Sequence, residues 1–410
     1  MDWPSCFSEP RSTSTSSSAS RPPTEAAPEA KAPAARVPSV DALRGFVMIV
    51  MALDHVRDFT SNATILFQPE DLTRTTAALF FTRWITHICA PVFMFTAGLG
   101  AFFLSQRGRA KSAVSRFLLT RGLWLLLLEL TVMRTALTFQ QGPMILEVLW
   151  ALGWSMIVLA ALIHIPVRPL AILSIGIICL HNLTDPVAGG WLWKLLHQRG
   201  LIVAGGIVLI PAYPIAPWFA VMSAGFCFGR IMTLDPEARQ KWLLRIGLGL
   251  TLAFLAVRGL NLYGDPQPWS AAVPGRTALS FLNTTKYPPS LAFLLMTLGP
   301  AILLLRRFGR MTFSDANPLI VFGRVPLFYF VVHFCLARAI SIAIAAFRYG
   351  HVWFMMTSLP SPGAAYPAGY GVSLPAVYAI WAAVVLALYP ACRWFMRVKQ
   401  RRHVWWLSYL

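Results

Sequence analysis

The chain has 410 residues, 57% of them hydrophobic and only 12% charged, with a formal net charge of +19. Ordinary soluble domains run about 45–50% apolar and about 25% charged, so this balance excludes a soluble globular domain. Several apolar runs exceed the roughly 18 residues that mark a spanning helix, which predicts an all-α, polytopic integral membrane bundle. The excess Lys and Arg sit in short loops, as the positive-inside rule expects, and no basic stretch carries the interleaved aromatics of a nucleic-acid surface. The six cysteines are scattered and none forms a CxxC pair; they read as small core residues, not a disulfide framework or a metal site.

In chain order, residues 1–38 are rich in Ser, Thr, Pro and Ala, with almost no large aliphatics and no signal-peptide h-region. They read as a disordered tail that is not cleaved. Residues 39–410 read as one transmembrane domain with about ten spans, at roughly 42–59, 77–104, 117–138, 145–165, 168–181, 208–231, 243–262, 288–306, 318–340 and 373–395. The run 200–212, GLIVAGGIVLIPA, is set off from the sixth span by Pro211, Pro214 and Pro217. It reads as a re-entrant piece or an eleventh span.

Ten alternating spans put four basic clusters on one side. These are Arg107, Arg109, Lys111 and Arg116; Arg239, Lys241 and Arg245; Arg306, Arg307 and Arg310; and Arg393, Arg397, Lys399, Arg401 and Arg402. Both termini are therefore expected in the cytoplasm, with the chain crossing the cell (inner or plasma) membrane. The loops on the other side (60–76, 182–200, 263–287, 345–372) are longer and rich in Pro, Gly, Asn and Trp. They read either as interfacial packing or as a lid over a non-cytoplasmic substrate site.

The stretch 39–58, SVDALRGFVMIVMALDHVRD, is the richest in chemistry. Ionisable groups at the mouth of a membrane-length helix are costly to desolvate and mark function by default. Arg44 and His55 are eleven residues apart, roughly 16 Å along a helix and close to three full turns, so they share a side. One end then offers a cation near the cytoplasm and the other an imidazole on the far side. That layout suits transfer of an activated group from a cytoplasmic donor to an external acceptor. A neutral histidine takes a proton from an attacking hydroxyl or amine, or is itself acylated, and Asp54 or Asp58 would orient it. Asp54, His55, Arg57 and Asp58 also fit a simple ion-paired helix end. Arg83 and His87 share a face at i, i+4 and are candidate substrate contacts; Glu129, in the third span, requires a partner, expected from an arginine of the bundle; Glu147, at the start of the fourth span, is a supporting candidate; His181, with Asn182 and Asp185, and Lys286 lie at outer mouths where substrate would bind.

The same stretch, with FFTRWITHICAPVFMFTAGLGAF (80–102), FLLTRGLWLLLLELTVMR (117–134), KYPPSLAFLLMTLGPA (286–301) and FGRVPLFYFVVHF (322–334), resembles bacterial relatives of heparan-alpha-glucosaminide N-acetyltransferase, within a broader transmembrane acyltransferase superfamily. The resemblance runs over residues 38–410. It implies acetyl transfer from cytoplasmic acetyl-CoA to an amine or hydroxyl of an extracytoplasmic glycan or amino sugar. The Arg44 to His55 spacing is similar to an arginine-to-histidine spacing in the first helix of the larger acyltransferase families, where that histidine is essential. In the heparan enzyme the matching position is an asparagine and its catalytic histidine follows in the next loop. Residues 59–76 here contain no histidine, so the role falls to His55. In GRVPLFYFVVH, Arg324 and His333 are expected on opposite sides of the bilayer, with Arg324 joining Arg44 at the CoA phosphates and His333 facing the acceptor. A proton-coupled secondary transporter using intramembrane His, Asp and Glu is the alternative; solute flux without acyl-CoA turnover distinguishes it. No HExxH and no GxxxxGK[ST] motif is present, so neither a bound metal nor an ATP-driven pump is expected.

Overall fold

Helix α1 (Pro38–Thr60) is the axis of the molecule in the computed structural model. It opens on a proline at its first turn, where the missing N–H costs nothing. The structure describes residues 37–410 apart from 357–358, 403, 405–406 and 408–410, and apart from the side chain of residue 204. The tail expected over 1–38 lies outside the described residues but for Val37 and Pro38, which cap and open α1.

The other helices follow as α2 (Ala77–Thr86), α3 (Cys89–Ser105), α4 (Lys111–Leu128), α5 (Arg134–Thr138), α6 (Val148–Leu162), α7 (Val167–Leu180), α8 (Trp191–Leu196), α9 (Ile215–Met232), α10 (Pro236–Leu260), α11 (Thr277–Leu282), α12 (Leu291–Phe308), α13 (Pro318–Arg324), α14 (Pro326–Tyr349) and α15 (Leu374–Arg401). Among the described residues, seven helical segments are long and apolar enough to cross a membrane, and the protein is a multi-pass helical membrane protein. α1 packs against α2, α3, α12, α13, α14 and α15, and most of its residues are buried.

Three expected spans are interrupted, each for a local reason. The 77–104 segment breaks at His87–Ile88 between α2 and α3, because Pro91 lacks an N–H and its ring collides with the carbonyl of His87 in a continuous helix. The 318–340 segment breaks at Val325, the residue before Pro326, which takes a non-helical backbone. The 117–138 segment stays helical but passes through a π turn at Glu129–Met133, the one-residue bulge that often marks a functional site.

The 200–212 run is neither a re-entrant helix nor a span. It folds as strands β2 (Ile202–Ala204) and β3 (Ile207–Pro211), paired antiparallel around Gly205 and Gly206, both at positive φ. That two-residue turn matches strand twist, and glycine alone enters it without strain. Strand β1 (Met144–Leu146) completes the sheet, parallel to β3.

Close helix crossings rest on paired glycines. A Cβ on Gly45 would sit 1.8 Å from the Leu319 carbonyl oxygen, and one on Gly323 1.8 Å from that of Asp41. Gly98 with Gly225, joining α3 and α9, and Gly122 with Gly153, joining α4 and α6, do the same. Without a hydrophobic drive between helices in lipid, such close backbone approach supplies much of the packing attraction.

Candidate active site

The α1–α13 crossing assembles one end of the site. Arg44 Nη1 donates to the Gly323 carbonyl at 3.2 Å, and its Nη2 lies 3.4 Å from Asp41 Oδ1. Arg324 Nε lies 3.7 Å from Asp41 Oδ2, and its Nη1 lies 2.8 Å from Asp315. The two arginines thus converge on one buried carboxylate, and the Nε of each is buried without a hydrogen bond.

Two turns before its C-terminus, α1 presents His55, and α14 presents His333 to meet it. His55 Nδ1 and His333 Nε2 are 2.8 Å apart, and His333 Nδ1 lies 2.8 Å from the carbonyl oxygen of Tyr329. A carbonyl only accepts, so His333 carries its proton on Nδ1 and offers a lone pair at Nε2. His55 must then donate from Nδ1, which leaves His55 Nε2 unprotonated. Phe334 meets the His55 ring edge-on at 4.9 Å, and Tyr329 stacks on His333 at 5.1 Å. His333 is fully buried; His55 is only partly so.

The carboxylates expected to orient His55 do something else. Asp54 accepts from Arg83 Nη1 through both oxygens (2.9 and 2.8 Å) and from Thr86 Oγ1 at 2.8 Å, and it pairs with Arg57 at 2.8 Å. Neighbouring positions on a helix diverge by about 100°, and Asp54 faces α2 while His55 faces α14. Asp58 pairs with Arg57. The residue that holds His55 is His333, which the sequence reading assigned to the acceptor.

Arg83 and His87 gather on Glu70, in the loop after α1. Arg83 Nε donates to Glu70 Oε1 at 2.8 Å; His87 Nε2 stands 3.9 Å from the same oxygen. Arg83 therefore bridges two carboxylates, Asp54 and Glu70. Burial pushes the Glu70 carboxyl up, but the Arg83 guanidinium overrides it and holds Glu70 well below the usual carboxylate range.

Lys286 lies on the segment leading into α12, 8% exposed, with Nζ 5.1 Å from the Tyr287 ring centre and 5.9 Å from that of Tyr213. The backbone N–H of Glu147 donates to Glu129 Oε1 at 2.6 Å, so the partner of Glu129 is a main-chain amide and not the arginine expected for it.

His181 is not brought to the dyad. Its Nε2 is 2.9 Å from the Pro289 carbonyl, beside a separate His197–Asp185 pair at 2.9 Å; it braces the entry to α12. Glu70 and Tyr213 were missed. Glu70 is one of only sixteen acidic residues, and that scarcity was the available signal.

A bundle of membrane-length helices closed around a histidine pair and an arginine–carboxylate network defines a membrane protein with a buried polar centre. The family model described as heparan-alpha-glucosaminide N-acetyltransferase, catalytic, matches residues 36–267. The chain belongs to this family of membrane acetyltransferases. His55, Asp54, Arg83 and Glu147 fall inside the matched segment; Lys286, Arg324 and His333 lie beyond it. A search among curated proteins gave no match.

Proposed function

We propose that the protein moves an acetyl group from acetyl-CoA, on the cytoplasmic side, to an amine or hydroxyl of a glycan or amino sugar on the opposite side. The observation that carries this reading is the chain of contacts from the Tyr329 carbonyl through His333 to His55. It leaves His55 Nε2 with a free lone pair, the atom that takes either the acetyl group or the acceptor's proton. As positive charge develops on His55, its Nδ1–H bond to His333 becomes charge-assisted and stronger. Family membership supports the acetyl group as cargo.

Arg44 and Arg324 would bind the CoA phosphates, exchanging the shared Asp41 for the stronger anion. Ten crossings with both termini in the cytoplasm fit this assignment: α1, α4 with its π turn, and α6 join the seven longer apolar segments. The Arg306 to Gln240 contact at 3.2 Å then joins two basic ends on the donor side. The cell membrane is the expected location, with the lipid bilayer as the surrounding partner.

The test is acetyl transfer by the purified full chain from labelled acetyl-CoA to glucosamine and to neutral glycans, with His55→Ala beside it. Transfer lost in the variant is expected. Undiminished transfer by a folded His55→Ala protein sinks the role of His55.

A further inference from the structure

We propose that Lys286 and Arg199 form a subsite for an anionic group, a carboxylate or a phosphate, carried by the acceptor sugar. The proposal rests on the acceptor entering at the His55 end of the bundle. Lys286 is more than nine-tenths buried, yet among the described residues its Nζ has no hydrogen bond and no ion pair. An ammonium carries three donors and is seldom buried without an anion. What surrounds it is aromatic: the rings of Tyr213 and Tyr287, whose hydroxyls are 3.4 Å apart.

Arg199 stands on the same platform. It is exposed, between α8 and β2, and its guanidinium carbon lies 5.5 Å from the centre of the Tyr287 ring. One tyrosine therefore carries two cations, one exposed and one buried. Neither forms an ion pair among the described residues, and an unpaired buried ammonium favours a bound anion. A neutral sugar satisfies the donors of Lys286 but not its charge.

The test is direct binding to the full chain in lipid nanodiscs with no acyl donor. Intrinsic fluorescence is a suitable readout because Trp218 lies 5.5 Å from the Tyr213 ring. The probes are glucuronate, glucose 6-phosphate and glucose. At least one charged sugar should bind on the order of tenfold tighter than glucose, the size of one charge-assisted contact. Preference for glucuronate identifies a carboxylate site, and preference for glucose 6-phosphate a phosphate site. Lys286→Gln should erase the preference, Lys286→Arg keep it, and Arg199→Gln weaken charged-sugar binding severalfold. Equal binding of the three sugars by the unaltered protein, no binding of any, or a preference that survives in folded Lys286→Gln overturns the subsite. Charge-selective binding without acetyl transfer would instead leave the subsite standing and remove the acetyltransferase reading.

Discussion

Replacing His333 by leucine separates orientation from chemistry in the histidine pair. Leucine is close in size and keeps the apolar contact with Phe330, but it accepts no hydrogen bond from His55. The lost contact is a single 2.8 Å N–H···N bond that becomes charge-assisted only once His55 is protonated or acylated. Such a bond contributes roughly 1.5–3 kcal/mol, and at 1.36 kcal/mol per tenfold kcat should fall roughly 10- to 150-fold. Because the ground state loses only a neutral bond, KM for acetyl-CoA and for acceptor should stay within about twofold of the parent. His333→Gln, whose amide oxygen reaches about where Nε2 lies, should recover part of the loss. The assay is steady-state transfer of labelled acetyl by detergent-purified protein. A leucine variant at parental kcat, or glutamine and leucine variants equally impaired, refutes the relay.

Four further outcomes follow from the packing and charges. Gly323→Ala pushes a methyl group into the Asp41 carbonyl, so thermal unfolding of the detergent-solubilised protein should show at least the ~1–3 kcal/mol loss typical of overpacking. Arg83→Met leaves Glu70 without its ion pair and Asp54 with Arg57 alone; a loss of about 3–5 kcal/mol is expected from the broken buried pair, and a melting temperature unchanged from the parent contradicts it. Glu70, held below its ordinary value of 4.5, contributes stability above that pH that is lost as pH falls through the lower folded value; Glu70→Gln should flatten that acid limb in melting curves. Arg44→Gln combined with Arg324→Gln should raise KM for acetyl-CoA at least tenfold with little change in acceptor KM, read from initial rates.

The first helix was legible because its signals are local: a run of apolar residues and charges eleven residues apart on one side. The convergence of Arg44 and Arg324 was anticipated as a shared role, but its cause, two facing glycines, is visible only in three dimensions. Partner choice was not legible. Asp54 is next to His55 in the chain and faces away from it, while His333 is 278 positions distant and touches it. Pro91 and Pro326 announced their breaks; they were passed over because hydropathy averages over a window and ignores a missing N–H. The β2–β3 hairpin was misread for the same reason. Its apolar residues satisfied a membrane criterion, while the Gly-Gly pair that sets the turn carries almost no hydropathy. Lys286 drew notice by charge alone; its aromatic seat comes from Tyr213, 74 residues away from Tyr287 in sequence.

The interlocked glycines of α1 and α13 have a mechanical corollary. With backbone against backbone at Gly45 and Gly323, neither helix slides or rolls on the other, so Arg44, Arg324 and His55 ride on one stiff body. His333 does not. It sits on α14, beyond the non-helical Val325 and the proline that follows it. Between the rigid body and the second imidazole there is a single articulated joint one residue long. A small swing of α14 about that joint therefore registers first as the opening or closing of one N···N contact, before any wider rearrangement of the bundle.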